Sequence, residues 1–124
     1  MKIPQNEFDR AVRRAIGRIP EEVRRHLDNI LISVRKRPSR NMLKDLGLHP
    51  NHVPLGLYVG TAMPERTPLY PPLYPDTIYI FQEPLEDMCN TIEELEEQIE
   101  ITVVHEIAHF IGINEERLVE LGYE

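Results

Sequence analysis

The sequence predicts a single domain, spanning residues 1–124, that contains both α-helices and β-strands. Its length of 124 residues corresponds to one domain. Apolar side chains recur with helical spacing near both ends of the chain, and the middle carries short segments of branched and aromatic residues typical of strands. These three observations predict a fold in which helices surround a few strands.

The composition indicates a folded, soluble protein. Apolar residues make up 41% of the chain and charged residues 28%, which suffices for a hydrophobic core. No apolar segment approaches the roughly 20 residues that cross a bilayer, and residues 1–10 lack the apolar stretch of a signal peptide. The single cysteine, Cys89, cannot form an internal disulfide. We therefore expect a cytoplasmic protein with no membrane partner.

Charge is distributed unevenly along the chain. Residues 1–44 contain 12 Lys and Arg against 5 Asp and Glu, whereas residues 45–124 contain 2 against 16. A basic half can indicate nucleic-acid binding. The arginines, however, recur at helical spacing among acidic residues, and an acidic helix is available in the same chain. This pattern favours a solvated or internally paired face, and we do not expect a nucleic-acid partner. The arginines concerned are Arg13, Arg14, Arg18, Arg24 and Arg25.

Three helices are predicted before the middle of the chain. Apolar residues at steps of three and four predict an amphipathic helix over Pro4–Arg18. Pro20, followed by two glutamates, is typical of the start of a second helix. Ser39 is placed to cap a short third helix that ends at Gly47.

Three strands are predicted at Ile30–Lys36, Leu55–Val59 and Thr77–Phe81. Between the last two lies a loop at residues 60–76, and five prolines fall in one twelve-residue stretch of it. Loops longer than about 12 to 15 residues are usually functional or disordered. We expect this loop either to form one wall of a cleft or to pack on the core as a stiff hydrophobic flap.

The last third of the chain carries the strongest pattern. Thr91 followed by Glu94 forms a capping box, and no residue from there to Ile111 breaks a helix. The first half of this helix is amphipathic, whereas the second half is apolar nearly all round and predicts a buried central helix. Polar side chains inside such a buried segment require a functional or structural reason.

Three such side chains, His105, Glu106 and His109, follow the order His-Glu-x-x-His. Residues four apart on a helix differ by roughly 40° in direction, so the two imidazoles project from one face, one turn apart. Two imidazole nitrogens at this spacing can bind one Zn²⁺ ion. Glu106 lies beside them, where its carboxylate can hold a water molecule on the metal and act as a general base.

A third metal ligand is expected because a catalytic zinc usually has three protein ligands and one open position. Gly112 and Glu115 extend the pattern to His-Glu-x-x-His-x-x-Gly-x-x-Glu, which arises by chance on the order of 10⁻⁴ times in such a chain. Gly112 would end the helix in a left-handed conformation and let the chain turn back. Glu115 is the predicted third ligand. Alternatively, Asn114 caps a final helix through Leu121, and Glu115 only occupies its first turn.

The other potential metal ligands are predicted to have structural or surface roles. His26, His49 and His52 lie in a charged helix and in a turn flanked by proline, where surface positions are expected. Cys89 is expected to be a small buried residue. If Cys89 instead supplied a fourth ligand, the zinc site would be closed and structural rather than catalytic.

The sequence resembles the small bacterial minimal-zincin family, a metzincin-like group of candidate zinc metallopeptidases. Residues 101–109, Gly112, residues 115–118 and Leu121-Gly122 carry this resemblance. It extends upstream over nearly the whole chain, through residues 20–22, 27–29, 37–39, 46–48, 55–58, 75–76 and 78–81.

The resemblance implies an α+β, minimal zincin-like fold, in which a small mixed sheet of three or four strands packs against a central motif helix with flanking helices. It also implies zinc bound by the two histidines and an acidic third residue. Family members usually carry Asp at that third position, whereas this chain has Glu115. Larger metzincins place a methionine turn after the motif, and the nine residues that follow Glu115 contain no Met.

The predicted function is hydrolysis of a peptide or protein substrate, with Glu106 as general base. A second electrophile is usually needed for the oxyanion, and the five tyrosines are equal candidates for it: Tyr58, Tyr70, Tyr74, Tyr79 and Tyr123. An extended substrate could pair with the sheet edge near Thr77–Phe81. Two alternatives are a non-catalytic, metal-stabilised interaction domain and a zinc-dependent nuclease.

Overall fold

A computed structural model describes residues 1–45, 47–49, 53–60 and 76–123 of the protein. Within these residues the chain forms an α+β fold, as predicted, with six α-helices and a three-stranded mixed sheet. In chain order the elements are α1 (Gln5–Arg18), α2 (Glu21–Arg24), a 3₁₀-helix (Arg25–Leu27), β1 (Ile30–Arg35), α3 (Arg40–Asp45), β2 (Gly56–Val59), β3 (Asp76–Phe81), α4 (Gln82–Asp87), α5 (Ile92–Ile111) and α6 (Glu115–Glu120).

The sheet has the strand order β1-β3-β2, with β3 in the centre. β1 pairs with β3 in parallel, and Ile32 lies opposite Ile78. β2 pairs with β3 in antiparallel orientation, and Tyr58 lies opposite the same residue. The expectation that an extended substrate pairs with the sheet edge near Thr77–Phe81 is therefore wrong, because both sides of β3 are already occupied. β2 is the edge strand that contacts α5.

The core lies between the sheet and a layer formed by α1 and α5. Because side chains alternate along a strand, Ile78 and Ile80 point into the core, and both are fully buried. Helix α1 buries one of its faces in this core. The buried residues of that face are Phe8, Ala11, Val12 and Ala15. Each large apolar side chain buried in this way stabilises the fold by about 1.5–3 kcal/mol. Packing against this layer also holds α5, the helix that carries the His-Glu-x-x-His motif, along most of its length.

Both ends of α5 form as predicted. At its start, Oγ1 of Thr91 accepts a hydrogen bond from the Glu94 amide (3.1 Å). At its end, Gly112 has φ 79°, a left-handed conformation that glycine adopts without the steric cost of a Cβ. The Gly112 and Ile113 amides both donate to the Ala108 carbonyl oxygen (2.9 and 3.0 Å). These caps fix where the helix stops relative to the histidines.

Helix α4 is the one element in the described residues that the sequence analysis missed. It follows β3 directly, with no turn residue between Phe81 and Gln82. Its third residue is Pro84, which is tolerated in the first turn of a helix because the amides there have no helical partner. A proline placed directly after a strand is therefore compatible with the start of a helix, and this is the signal in the sequence for α4.

The arginines on α1 pair with glutamates of α5, as the charge pattern predicted. Arg14 forms an ion pair with Glu96, and Arg18 pairs with Glu100 (3.2 Å). Arg24 pairs with Glu21 within its own helix (2.7 Å). Part of the basic half is thus neutralised inside the molecule.

No helix in the described ranges is long and apolar enough to cross a membrane. The predicted proline-rich loop at residues 60–76, with Tyr70 and Tyr74, lies outside the described residues except at its two ends, and so does His52.

Candidate active site

The motif side chains lie on the second half of α5, where the helix is anchored by buried residues on the opposite side. Val103, Val104, Ile107 and Ala108 are all fully buried, which fixes the rotation of the helix about its axis. His105 and Glu106 are consequently half-buried, and His109 is exposed. The spacing of four residues places the two imidazoles on one face of the helix.

The His105 imidazole has an unusual environment. Its Nε2 atom is buried and has no hydrogen-bond partner among the described residues. A buried polar atom left without a partner costs about 1–3 kcal/mol, so native structures rarely keep one without a reason. A nitrogen in this condition has a lone pair or a proton available for a ligand.

Glu106 is held from the side of the sheet. Its Oε2 atom accepts a hydrogen bond from the backbone N–H of Tyr58 in β2 (3.1 Å). Burial raises the pKa of the Glu106 carboxyl, and this effect is opposed by the Tyr58 N–H, by His109 and by His105. A raised pKa suits a carboxylate that must take up a proton near neutral pH.

Tyr58 is fixed by contacts on three sides. Its ring stacks on Phe110, with ring centroids 4.2 Å apart and planes 15° from parallel. Its hydroxyl donates to the carboxylate of Asp76, a residue that is only 6% exposed. Its N–H donates to Glu106. The aromatic and polar contacts together hold the end of β2 against the motif helix.

The side chains of the other described tyrosines make contacts with residues other than Glu106. Tyr79 lies beneath the Arg35 guanidinium, whose central carbon is 5.5 Å from the ring centroid. Tyr123 donates its hydroxyl to Glu100 (3.0 Å), and its pKa is raised by burial and by that carboxylate. Of the candidates for a second electrophile in the described residues, Tyr58 is the one whose contacts reach Glu106.

Glu115 is the first residue of α6, and it is exposed. The preceding Asn114 caps this helix, since its Oδ1 accepts from the Arg117 amide (2.8 Å). Within the described residues, no group of three or more His, Cys, Asp or Glu side chains is arranged to hold a metal ion. The structure thus brings His105, Glu106 and His109 onto one part of α5 but does not bring Glu115 to them, and its role as third ligand stays a prediction.

The remaining candidate ligands are placed as structural or surface residues. Cys89 is 2% exposed in the hydrophobic core, and burial raises the pKa of its thiol. It joins no metal-binding group in the described part of the chain. His49 is exposed and His26 is half-buried.

A cleft with a volume of about 310 Å³ opens beside the motif. Its walls come from the start of β2 and from the face of α5 one to two turns before Glu106. They combine apolar side chains with a few polar groups, as small-molecule and peptide sites usually do. The lining residues are Pro54, Leu55, Gly56, Gln98, Ile101, Thr102, His105 and Glu106.

Comparison with known proteins identifies the family of this chain and a solved structure with a similar fold. The family model described as "Zincin-like metallopeptidase" matches residues 27–123. The chain belongs to this family. A conserved hypothetical protein from Thermo thermophilus has a similar structure, with a TM-score of 0.56 and 18% sequence identity. The match covers 94% of this chain and 98% of that one. No curated protein matches the sequence.

Zinc, the metal that the zincin-like family uses, fits the two histidines of this chain. The unpartnered Nε2 of His105 and the exposed imidazole of His109 supply two nitrogen donors one helical turn apart. The Glu106 carboxylate is held at its Oε2 atom by the backbone N–H of Tyr58.

Sequence reasoning did not connect Gly56 or the backbone of Tyr58 with the site, although both belong to the sheet edge at the motif. A glycine inside a strand often marks a place where another part of the protein approaches closely. Gly56 in the strand at residues 55–59 carried that signal. The partner that approaches it, however, lies on α5, far away in the sequence.

Proposed function

We propose that this protein is a zinc-dependent metallopeptidase that hydrolyses peptide bonds in a peptide or protein substrate. The observation that carries the proposal is the Glu106 carboxylate, which is held by a hydrogen bond from the edge strand and follows a histidine with a buried, unpartnered nitrogen. Glu106 is half-buried between two potential metal ligands, a position that costs free energy for a charged group. Membership of the zincin-like family supports the same chemistry.

In this proposal His105 and His109 hold the zinc ion, with Glu115 as the predicted third ligand. Zinc, when bound, supplies Lewis-acid activation of a water molecule and of the scissile carbonyl. Glu106 takes the proton from the attacking water and transfers it to the leaving amine. The raised pKa of its carboxyl makes the ionised group a stronger acceptor for the proton of the water.

The cleft beside the motif supports a peptide substrate. Leu55 and Ile101 make one part of it apolar, which suits a substrate side chain next to the bond that is cut. The cleft is small, so we propose a narrow range of peptide substrates rather than general protein digestion. A cytoplasmic location is part of the proposal, because the single cysteine is a buried thiol.

The ion pairs of α1 favour a peptidase over the nuclease alternative. Arg14 and Arg18 are engaged by Glu96 and Glu100, so they do not form a free basic surface. A phosphate-binding surface needs positive charge that neighbouring carboxylates do not neutralise. We therefore do not propose nucleic acid as a substrate.

The proposal is tested by metal analysis and peptide-library cleavage, carried out side by side on wild type and Glu106→Gln. We expect the wild type to bind zinc and to cleave a subset of peptides. The variant should keep its zinc and lose activity by roughly 10²- to 10⁴-fold, the usual contribution of a general base. Equal turnover by the two proteins would remove Glu106 from the mechanism. A wild type that binds zinc but cleaves nothing would favour the non-catalytic interaction domain.

A further inference from the structure

We propose that the backbone N–H of Tyr58 positions the general base Glu106. In this proposal the close fit of Gly56 against Thr102 holds β2 at the distance from α5 that the hydrogen bond between Tyr58 and Glu106 needs. The inference rests on the proposed peptidase function. Neither Tyr58 nor Gly56 touches the reacting atoms in this account, so both are positioning residues.

The Tyr58 N–H is available because of the register of the sheet. Phe81 N–H donates to the Leu55 carbonyl oxygen (3.0 Å), and the antiparallel register continues with Leu57 opposite Tyr79. In an antiparallel pair, every second residue exchanges hydrogen bonds with its partner strand, and the residues between them direct their backbone groups away. Tyr58 is one of the residues between, so its N–H points to the outer edge of β2.

Gly56 determines how closely that edge approaches the helix. A Cβ atom at this position would lie 2.5 Å from Cγ2 of Thr102 and 3.0 Å from the carbonyl oxygen of Tyr79. The Thr102 methyl group cannot rotate away freely, because its Oγ1 donates to the Gln98 carbonyl oxygen (2.7 Å). Only glycine therefore allows β2 and α5 to come together at this distance.

Thr102, Glu106 and Phe110 follow one another at intervals of four residues, so they line one face of α5. Each of them contacts β2: Thr102 meets Gly56, Glu106 accepts from the Tyr58 N–H, and Phe110 stacks on the Tyr58 ring. The strand is thus fixed at three points over two helical turns. The bond to Oε2 fixes the Glu106 carboxylate and leaves its second oxygen, Oε1, as the proton acceptor.

The decisive experiment replaces Tyr58 by its α-hydroxy acid analogue, which turns the N–H into an ester oxygen and keeps the ring and the hydroxyl. We expect kcat to fall roughly tenfold, since a hydrogen bond to a charged group is typically worth that factor or more. KM and zinc content should not change. The matched control is the same replacement at Leu57, which removes a hydrogen bond of the sheet and should lower thermal stability more and kcat less.

A second pair of variants tests the fit at Gly56. Gly56→Ala should lower kcat, and adding Thr102→Ser should recover part of it, because serine lacks the Cγ2 atom but keeps the hydroxyl. Gly17→Ala is the control for the substitution itself, since a Cβ at Gly17 meets no atom within 4 Å.

Amide hydrogen exchange of the metal-free protein provides a readout that does not depend on catalysis. Exchange of the Tyr58 N–H should be slow in the wild type and roughly tenfold faster in Glu106→Ala. If the wild type cleaves peptides and the Tyr58 ester cleaves them equally fast, the positioning role is overturned while the peptidase function stands. A wild type that cleaves no peptide overturns the peptidase function, and the positioning role with it.

Discussion

The glutamates in the first half of helix α5 and the histidines in its second half differ in their surroundings. In the first half, Glu96 pairs with Arg14, and Glu100 pairs with Arg18 and accepts from Tyr123. In the second half, the buried Nε2 of His105 has no partner within the described residues, and His109 is exposed. Polar groups in the first half serve the fold. In the second half, Thr102 and Glu106 are also hydrogen-bonded within the described residues, and the Nε2 of His105 is the exception.

The largest effect should appear when a polar group of each half is removed from the metal-free protein. His105→Leu replaces the unpartnered nitrogen with an apolar group, so we expect the free energy of unfolding to rise by about 1 kcal/mol. Glu96→Gln removes one charge of an ion pair, and because Arg14 is half exposed the loss should be about 0.5–1 kcal/mol. Urea denaturation measures both. If His105→Leu were the more destabilising of the two, the contrast between the halves would be lost.

The end of α5 gives an effect of similar size and of known sign. A Cβ at Gly112 meets no atom within 4 Å, but φ there is 79°, so Gly112→Ala should destabilise the protein by about 1 kcal/mol through backbone strain alone. Gly17 lies inside α1 with equally open surroundings, and Gly17→Ala should stabilise by about 0.5–1 kcal/mol. Thermal unfolding should shift in opposite directions. Shifts in the same direction would show that the cap is not strained.

The smallest effect concerns the free energy of unfolding at alkaline pH, which depends on Tyr123 and its hydrogen bond to Glu100 in the first half of α5. Burial and Glu100 raise the pKa of Tyr123 above its ordinary value. A group whose pKa is higher in the folded state than in the unfolded state stabilises the fold as long as the pH is below the unfolded pKa, which is about 10 for tyrosine. This stabilisation is lost as the pH rises from the unfolded pKa through the folded pKa. The wild type should therefore lose stability above about pH 10 more steeply than Tyr123→Phe. Identical slopes in urea denaturation series would contradict this assignment.

The sequence allowed the helices and the motif to be predicted because both depend on short-range patterns. The spacing of apolar residues predicted α1 and α5, and the glycine and capping residues predicted where α5 begins and ends. The order His-Glu-x-x-His needs only the geometry of one helix, so His105, Glu106 and His109 could be placed on one face before any fold was known.

The strand order and the strand contact with Glu106 could not be predicted, because they depend on residues far apart in the chain. The segment Thr77–Phe81 was expected to form an edge, yet it lies between β1 and β2. The Tyr58 N–H reaches a carboxylate 48 residues away. No local pattern encodes such a contact, although the glycine at position 56 indicated that something approaches the strand there.

Zinc titration by isothermal calorimetry shows whether the second half of α5 binds zinc through His105 and His109. We predict that the wild type and Glu96→Gln bind one zinc ion per chain, and that His105→Leu binds none under the same conditions. Equal binding by all three proteins, or none by the wild type, would contradict the account.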